Sequence, residues 1–272
     1  MSWLGLAGRR AVVTGGASGI GRNTALHFIK EGCETVTIVD RDSAAVQAAI
    51  DEMVADIRKD PELASAASRL SGHACDVTSG DQVRATWKEI GESDILCNCA
   101  GITKDGWLTR MEESVWDDVM NVNLKGTFLM TQGFVIARAG GLEGLKNVTQ
   151  SSSNGPGGSI INIGSIVGKM GNMGQANYTA SKSGVVGFTK TAAKELAAFN
   201  VRINVNCILP GSIATPMANA VPEKVMEKVV ATIPMGRVGD PNEIANTALF
   251  LASDRSSYMT GNAIEVAGGL GM

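Results

Sequence analysis

Short β-branched and apolar runs alternate along this chain with longer stretches whose apolar positions recur every three or four residues. Arg10 to Thr14 predicts a first strand, and Ile20 to Lys30 predicts a helix directly after it. Thr35 to Asp40 predicts a second strand, followed by an Ala-rich helix from Ser43 that Pro61, in the stretch Ile57 to Leu70, must interrupt or end. Gly72 to Cys75 and Asp94 to Cys99 predict the third and fourth strands, with a helix from Ser79 to Ile90 between them. One helix is predicted over Val115 to Arg138, a fifth strand over Ser159 to Gly164, and a long helix to about Phe199. Ile203 to Ile208 and Ala263 to Val266 complete the strands, and Asn242 to Ala252 is the last helix. Strand–helix alternation of this kind predicts an α/β fold: a doubly wound, seven-stranded parallel sheet with helices on both faces. No repeat or linker divides residues 1–272, so one domain is expected. Ala139 to Gly158 is rich in Gly, Ser and Asn without periodicity, and predicts an inserted surface loop.

Composition narrows the function classes. The net charge is −3 and the basic residues are scattered, which argues against a nucleic-acid footprint. No apolar run is long enough to span a bilayer, and Met1 to Gly8 leaves no room for a secretory signal. The expectation is an intracellular protein in which Asn147-Val148-Thr149 is an idle glycosylation pattern and the five cysteines are reduced. Cys97 and Cys99 face one side of a strand, but only His27 and His73 could join them, so buried thiols and no metal site are expected.

Two stretches carry candidate chemistry. Thr14-Gly15-Gly16-Ala17-Ser18-Gly19-Ile20-Gly21 lies between the first strand and the first helix, where a dinucleotide-binding turn of a Rossmann fold belongs. Gly15 allows the tight turn, Gly19 a close approach of backbone to pyrophosphate, and Gly21 close packing of helix and sheet; the free N–H groups at the helix start favour phosphate. Asp40, nineteen residues past Gly21, can accept hydrogen bonds from both adenosine ribose hydroxyls and would repel a 2′-phosphate. This favours NAD over NADP, although the neighbouring Arg41 could welcome that phosphate. Asp76 and Val77, after the third strand, are placed for the adenine ring.

The second stretch is Asn177-Tyr178-Thr179-Ala180-Ser181-Lys182. Tyr178 and Lys182 are four residues apart on one helix face. A close ammonium favours the phenolate and is expected to pull the Tyr178 pKa down from about 10, toward the range of a useful general acid or base.

Together with Asn98-Cys99-Ala100-Gly101, Asn123 in VNLKGTF, Ser165, and Pro210-Gly211 after the sixth strand, these motifs resemble the short-chain dehydrogenase/reductase family over nearly the whole chain. The stretches ASKSGVVGFTK, PMGRVGDPNEIAN and AGGLGM resemble its 3-oxoacyl-[acyl-carrier-protein] reductase group. CAGITKDGWL and GSIINIGSIVGKMGNMGQANY resemble the NAD-linked subgroup called 17β-hydroxysteroid dehydrogenase type 8. Cys99, where many relatives have a second Asn, and Gly164, where many have Ser, are departures. The resemblance implies Tyr178 as general acid or base, Ser165 holding the reacting carbonyl oxygen, Lys182 on the nicotinamide ribose, and Asn123 holding a water that relays protons to Lys182. It implies cofactor contacts from Gly15, Ser18, Gly19, Ile20, Gly21, Asp40, Asp76, Val77, Asn98, Ala100, Gly101, Pro210, Gly211, Ile213 and Thr215, besides Tyr178 and Lys182.

The implied reaction is NAD(H)-dependent reduction of 3-oxoacyl thioesters, on acyl carrier protein or coenzyme A. The alternatives are hydroxysteroid oxidation, or a cofactor-binding subunit of a mixed tetramer with a second reductase. Thr215-Pro216-Met217 and the helix to about Ile233 are expected to form a flap, with Met170, Met173 and Met217 lining an acyl channel. Arg138 and Lys194 are candidate contacts for an acidic carrier protein. Assembly as a homotetramer or mixed tetramer is expected through the helices after the fourth and fifth strands and through Gly261 to Met272. The compartment is expected to be cytoplasm or mitochondrial matrix.

Overall fold

The computed structural model describes residues 3–141, 157–198, 202–219 and 221–272. Seven parallel strands form one sheet in the order β3-β2-β1-β4-β5-β6-β7. They are β1 (Arg10–Thr14), β2 (Thr35–Asp40), β3 (Leu70–Ala74), β4 (Ile95–Asn98), β5 (Gly158–Ile163), β6 (Ile203–Pro210) and β7 (Ala263–Val266). The helices are α1 (Gly19–Lys30), α2 (Ser43–Arg58), α3 (Gly80–Ile90), α4 (Glu113–Met120), α5 (Gly126–Arg138), α6 (Val167–Met170), α7 (Ala176–Ala198), α8 (Pro216–Asn219), α9 (Glu223–Ala231) and α10 (Pro241–Ala252). The sheet order reverses between β1 and β4, so a crevice opens there at the carboxyl ends of the strands.

The continuous apolar strands are sorted by their two-residue period. Ala11, Val13, Val36, Ile38, Ile95, Cys97, Ile161 and Ile208 face a core with α1, α2 and α10. Val12, Val39, Leu96, Ile160 and Val205 face the opposite core with α3, α5 and α7. Both faces are therefore covered, as a parallel sheet requires. The helix starts are fixed locally. Asp42 accepts bonds from the Ala44 and Ala45 N–H groups, and Asp240 makes a capping box with Glu243 ahead of Pro241. In the second core Trp87 meets Phe134 edge-on with ring centroids 5.7 Å apart. A Cβ on Gly133 would lie 2.1 Å from the Trp87 ring, so only glycine fits beneath it.

Most predicted elements stand within two residues of their expected limits, and α2 ends at Arg58, just before Pro61. The expected single helix over Val115 to Arg138 is different. It is α4 and α5 joined by a π-helical turn at Asn121–Lys125. The expected loop over Ala139 to Gly158 and the Asn147-Val148-Thr149 pattern lie largely or wholly outside the described residues, and so does Phe199. Among the described residues no helix is long and apolar enough to cross a membrane.

Candidate active site

The glycine turn closes over the end of β1. Gly15 and Gly19 have φ of 63° and 53°, conformations other residues rarely adopt. A Cβ on Gly21 would lie 2.2 Å from the Gly15 carbonyl oxygen. Gly21 thus lets the start of α1 lie against its own turn and against the Thr14 carbonyl at the end of β1, 3.1 Å from where a Cβ would be. Gly16 is a further point of close packing on the sheet, where a Cβ would lie 2.5 Å from the Ile38 Cβ; sequence reasoning had given Gly16 no role. Ser18 is the extended N-cap residue of α1 and its hydroxyl makes no capping bond. Asp40 accepts from the Ala17 N–H at 3.2 Å and the Arg41 N–H at 2.8 Å. Its carboxylate is therefore held at the edge of the turn.

The wall across the switch point comes from the end of β4. The Cys99 and Ala100 N–H groups both donate to Thr14 Oγ1 at 3.1 Å. The Asn98 side-chain amide faces away from the crevice, so any contact with a cofactor would come from its backbone. Asn98 is 3 % exposed, and its Nδ2 donates to Thr131 Oγ1 at 3.1 Å and Asn162 Oδ1 at 2.9 Å. It faces the second core and ties β4 to β5 and α5. Val77 is likewise buried, its side chain against Gly126, so only its backbone could meet a ring. One Asp76 oxygen is taken by the Thr78 N–H and hydroxyl. On the far wall, Gly211 packs on Ala267 and donates to the Val266 carbonyl, while the Pro210 carbonyl accepts from the Ile166 N–H. Ile213 is buried, and Thr215 stands beside Gly19, with its Cβ 3.6 Å from where a Cβ would be on that glycine. The loop after β6 therefore reaches back to the turn after β1 and roofs the crevice.

Tyr178, Lys182, Ser165 and Asn123 converge at the carboxyl end of β5. The Ser165 hydroxyl accepts from the Val167 N–H at 3.2 Å at the start of α6, and it stands near enough to the Tyr178 phenol to act on that group's proton affinity. Lys182 is 4 % exposed; its Nζ donates to the Ile163 carbonyl at 2.8 Å and lies 5.7 Å from the Tyr178 ring centroid. The extra residue of the π turn swings the fully buried Asn123 side chain against the chain that follows Gly101. Asn123 accepts from the Ile102 N–H at 2.8 Å and donates to the Ile102 carbonyl and to Ser181 Oγ, both at 3.0 Å. The Thr127 hydroxyl satisfies the Asn123 carbonyl at 2.7 Å. A Cβ on Gly101 would lie 3.3 Å from both Asn123 Oδ1 and Lys182 Nζ. Glycine at 101 leaves the space between those two groups free.

The expected electrostatics are reversed. Burial raises the Tyr178 pKa above its ordinary value; the neighbouring Ser165 hydroxyl opposes this, and the Asp105 carboxylate adds to it. Burial also lowers Lys182 to about 8. The cation is directed at a backbone carbonyl and has itself lost solvation, so it does not dominate the phenol as helix spacing suggested.

Two positioning residues were not found from sequence. Asn177 is fully buried; its Oδ1 accepts from the Tyr178 N–H at 2.7 Å, and its Nδ2 donates to the Lys104 carbonyl at 3.0 Å. Asp105 accepts from Gln175 Nε2 at 3.0 Å, on a turn three residues before Tyr178. Met170, Met173 and Met217 are exposed. Arg138 lies away from the crevice. It is paired with Asp94 at 2.9 Å and donates to the Ser93 carbonyl, at the amino ends of the strands and opposite the crevice. Lys194 is exposed but sits roughly 24 Å along α7 from Tyr178.

A family model described as Enoyl-(Acyl carrier protein) reductase, of the short-chain dehydrogenase type, matches residues 15–271. The chain belongs to the short-chain dehydrogenase/reductase family. It is an oxidoreductase. It is 42 % identical to (3R)-3-hydroxyacyl-CoA dehydrogenase of Mus musculus over 276 aligned residues, covering 100 % of this chain and 99 % of the mouse protein. It is also 42 % identical to 3-oxoacyl-[acyl-carrier-protein] reductase FabG of Thermotoga maritima, covering 97 % and 98 %. A crystal structure from Agrobacterium tumefaciens, described as a 2-deoxy-d-gluconate 3-dehydrogenase with bound NADP, superposes with a TM-score of 0.81 at 30 % identity, covering 99 % of each chain.

Proposed function

We propose that this oxidoreductase reduces 3-oxoacyl thioesters to 3-hydroxyacyl thioesters with NADH. The observation that carries the reading is the half-buried Tyr178 beside the buried Ser165 at the crevice, with Lys182 behind them. Relatives at 42 % identity named for 3-hydroxyacyl and 3-oxoacyl substrates support the substrate class.

The turn fits a dinucleotide. Its glycines leave the volume a Cβ would fill, and the N-terminus of α1 directs N–H groups toward a pyrophosphate. A nicotinamide dinucleotide held there supplies the hydride. The fixed Asp40 carboxylate supports NAD, because it meets ribose hydroxyls well and a 2′-phosphate badly. Arg22, the cation of the first turn of α1, is paired with Glu52 at 2.8 Å. The NADP in the Agrobacterium structure belongs to that protein and leaves the choice to experiment.

Ser165 orients the carbonyl and stabilises charge on its oxygen, and Tyr178 gives that oxygen a proton. A raised phenol pKa keeps this proton in place at neutral pH, which suits reduction. Lys182, at about 8, is mostly protonated at pH 7 and re-protonates the phenolate side of the site. The space beside Gly101 suits a relay water between Asn123 and Lys182. Met170, Met173 and Met217 give an acyl chain adaptable contacts. The exposed Trp116 and Phe128, on α4 and α5, favour assembly with further subunits, a homotetramer or a mixed one, through these helices.

The test is a panel with the chain purified alone: acetoacetyl-CoA and an acetoacetyl carrier protein with NADH or NADPH, and estradiol with NAD. Turnover of the acyl thioesters with NADH preferred is expected, and Asp40→Ala should erode that preference. A wild-type preference for NADPH overturns the cofactor assignment. Estradiol oxidation without thioester reduction overturns the substrate class. Inactivity that only a second subunit relieves supports the mixed-tetramer alternative.

A further inference from the structure

Beneath the Ala100 wall of the crevice lie two thiols that the proposed reaction does not use. Cys97 and Cys99 point to the same side of β4 and its extension, and their sulfurs are 3.6 Å apart. Cys97 is fully buried, whereas Cys99 is partly exposed. The segment they bracket has little slack. Asn98 between them is bonded to Thr131 and Asn162, and the Cys99 and Ala100 N–H groups hold Thr14 at the start of the glycine turn. A Cβ on Gly15 would lie 2.8 Å from the Ala100 nitrogen and 3.0 Å from the Cys99 carbonyl carbon, so the two backbones are in direct contact.

We propose that Cys97 and Cys99 form an oxidisable dithiol pair whose intrachain disulfide loosens the glycine turn and lowers affinity for the dinucleotide. The oxidant is a hydroperoxide. Cys99, the sulfur that solvent can reach, attacks the peroxide oxygen; the O–O bond breaks, and Cys99 becomes a sulfenic acid as the peroxide leaves as an alcohol or water. The Cys97 sulfur then attacks the Cys99 sulfur. The S–O bond breaks, the Cys97 proton joins the departing hydroxide as water, and the disulfide forms. Overall both thiols lose one electron each and the peroxide is reduced by two.

The neighbouring Cys99 sulfur, together with burial, keeps the Cys97 thiol protonated, which gives Cys99 the first step. Closing the sulfurs from 3.6 Å to a bond of about 2.0 Å draws the backbone at 97 and 99 together. The strain falls on the Asn98 bonds and on the two N–H bonds to Thr14. A strained pair of this kind is readily reduced again, so the change is reversible. By the same coupling, a bound dinucleotide opposes closure.

The experiment treats the full-length protein with hydrogen peroxide, alkylates free thiols under denaturing conditions, and digests with trypsin. Cleavage after Lys88 and Lys104 isolates one peptide that holds both cysteines and no other. The expected product is this peptide lighter by two hydrogens and unalkylated. NADH affinity should then fall by about tenfold or more, the scale of one lost well-placed contact, and dithiothreitol should restore it. Saturating NADH should slow the oxidation. Cys99→Ser should retain NADH binding after peroxide, and Cys97→Ala should stop at an oxidised Cys99 without the disulfide. The proposal is overturned by a peptide that stays dithiol or carries only added oxygen. It is equally overturned by a disulfide that leaves NADH binding unchanged, or by loss of binding in Cys99→Ser. The peptide readout needs no acyl substrate, so its outcome is separable from that of the proposed reaction.

Discussion

The glycine turn and the Tyr178 cluster face the same crevice but are built from opposite materials. The turn is backbone: it works because side chains are missing, and a Cβ at Gly16 or Gly21 would collide at 2.5 Å or 2.2 Å. The cluster is side chain: Lys182, Asn123 and Ser165 are buried, with Tyr178 partly so, and they regain part of the cost of lost water through named partners. Steric requirements of the first kind are written one residue at a time. Electrostatic properties of the second kind belong to the assembled environment, and there the Tyr178 pKa moves up where helix spacing alone sent it down.

The sharpest way to separate the two regions is Tyr178→Phe. It removes the proton donor and leaves the turn intact. Turnover should fall by about 10²–10⁴-fold, the range for one general acid, with NADH binding preserved in a fluorescence titration. Near-normal turnover would take the phenol out of the reaction.

Lys182→Met tests the energetic cost of the cluster. The lysine is protonated in both folded and unfolded states at pH 7, and its depression from 10.5 to about 8 corresponds to on the order of 3 kcal/mol against folding. The lost bond to the Ile163 carbonyl offsets about 1 kcal/mol of the relief. The variant should be inactive but more stable than wild type at pH 7. Below about 8 the penalty on wild type is complete. Between about 8 and 10.5 the folded state releases its proton first, so the penalty fades and the advantage of Met shrinks as pH rises. Urea midpoints at pH 7 and 9.5 measure this; a variant equally destabilised at both would refute it.

Gly21→Ala makes the matching test of the turn. The new methyl meets the Gly15 carbonyl, so the turn must shift, at a stability cost of about 1–3 kcal/mol. NADH affinity should drop while turnover at saturating NADH is largely retained. That is the reverse of the Tyr178→Phe pattern, and loss of turnover with unchanged NADH binding would break the comparison.

What was legible follows the same division. Strand runs and helix periods placed the seven strands, because a parallel sheet covered on both faces needs continuous apolar strands. The Gly15 and Gly19 positions were legible because their positive φ restricts the choice of residue. The π turn at Asn121–Lys125 was not, since VNLKGTF fits an ordinary helix and the bulge is stabilised by contacts to Ile102 and Thr127 that are distant or local only after folding. The partners of Asn98 and Arg138 were not legible for a related reason. Both are polar residues in motifs or on helix faces that sequence reads as exposed, and both side chains are held by partners distant in sequence: Asn162 for one, Asp94 for the other.

The smallest effect concerns Asp105, which neither the turn nor the catalytic motif contains. Its carboxylate is exposed, bonded to Gln175, and adds to the upward shift of the Tyr178 phenol. Asp105→Asn keeps an oxygen for Gln175 and removes only the charge. The Tyr178 pKa should then fall toward its ordinary value. Since reduction needs the protonated phenol, the alkaline limb of kcat/KM for thioester reduction should move to lower pH. Oxidation, which needs the phenolate, should begin at lower pH by the same amount. Solvent screens an exposed charge, so the displacement should be under about one pH unit at low ionic strength and should shrink at about 1 M salt. A purely structural role for Asp105 would instead lower the rate by the same factor at every pH and leave both limbs in place. Profiles in the two directions therefore decide whether the field of the crevice mouth, as well as its packing, sets the proton affinity of the site.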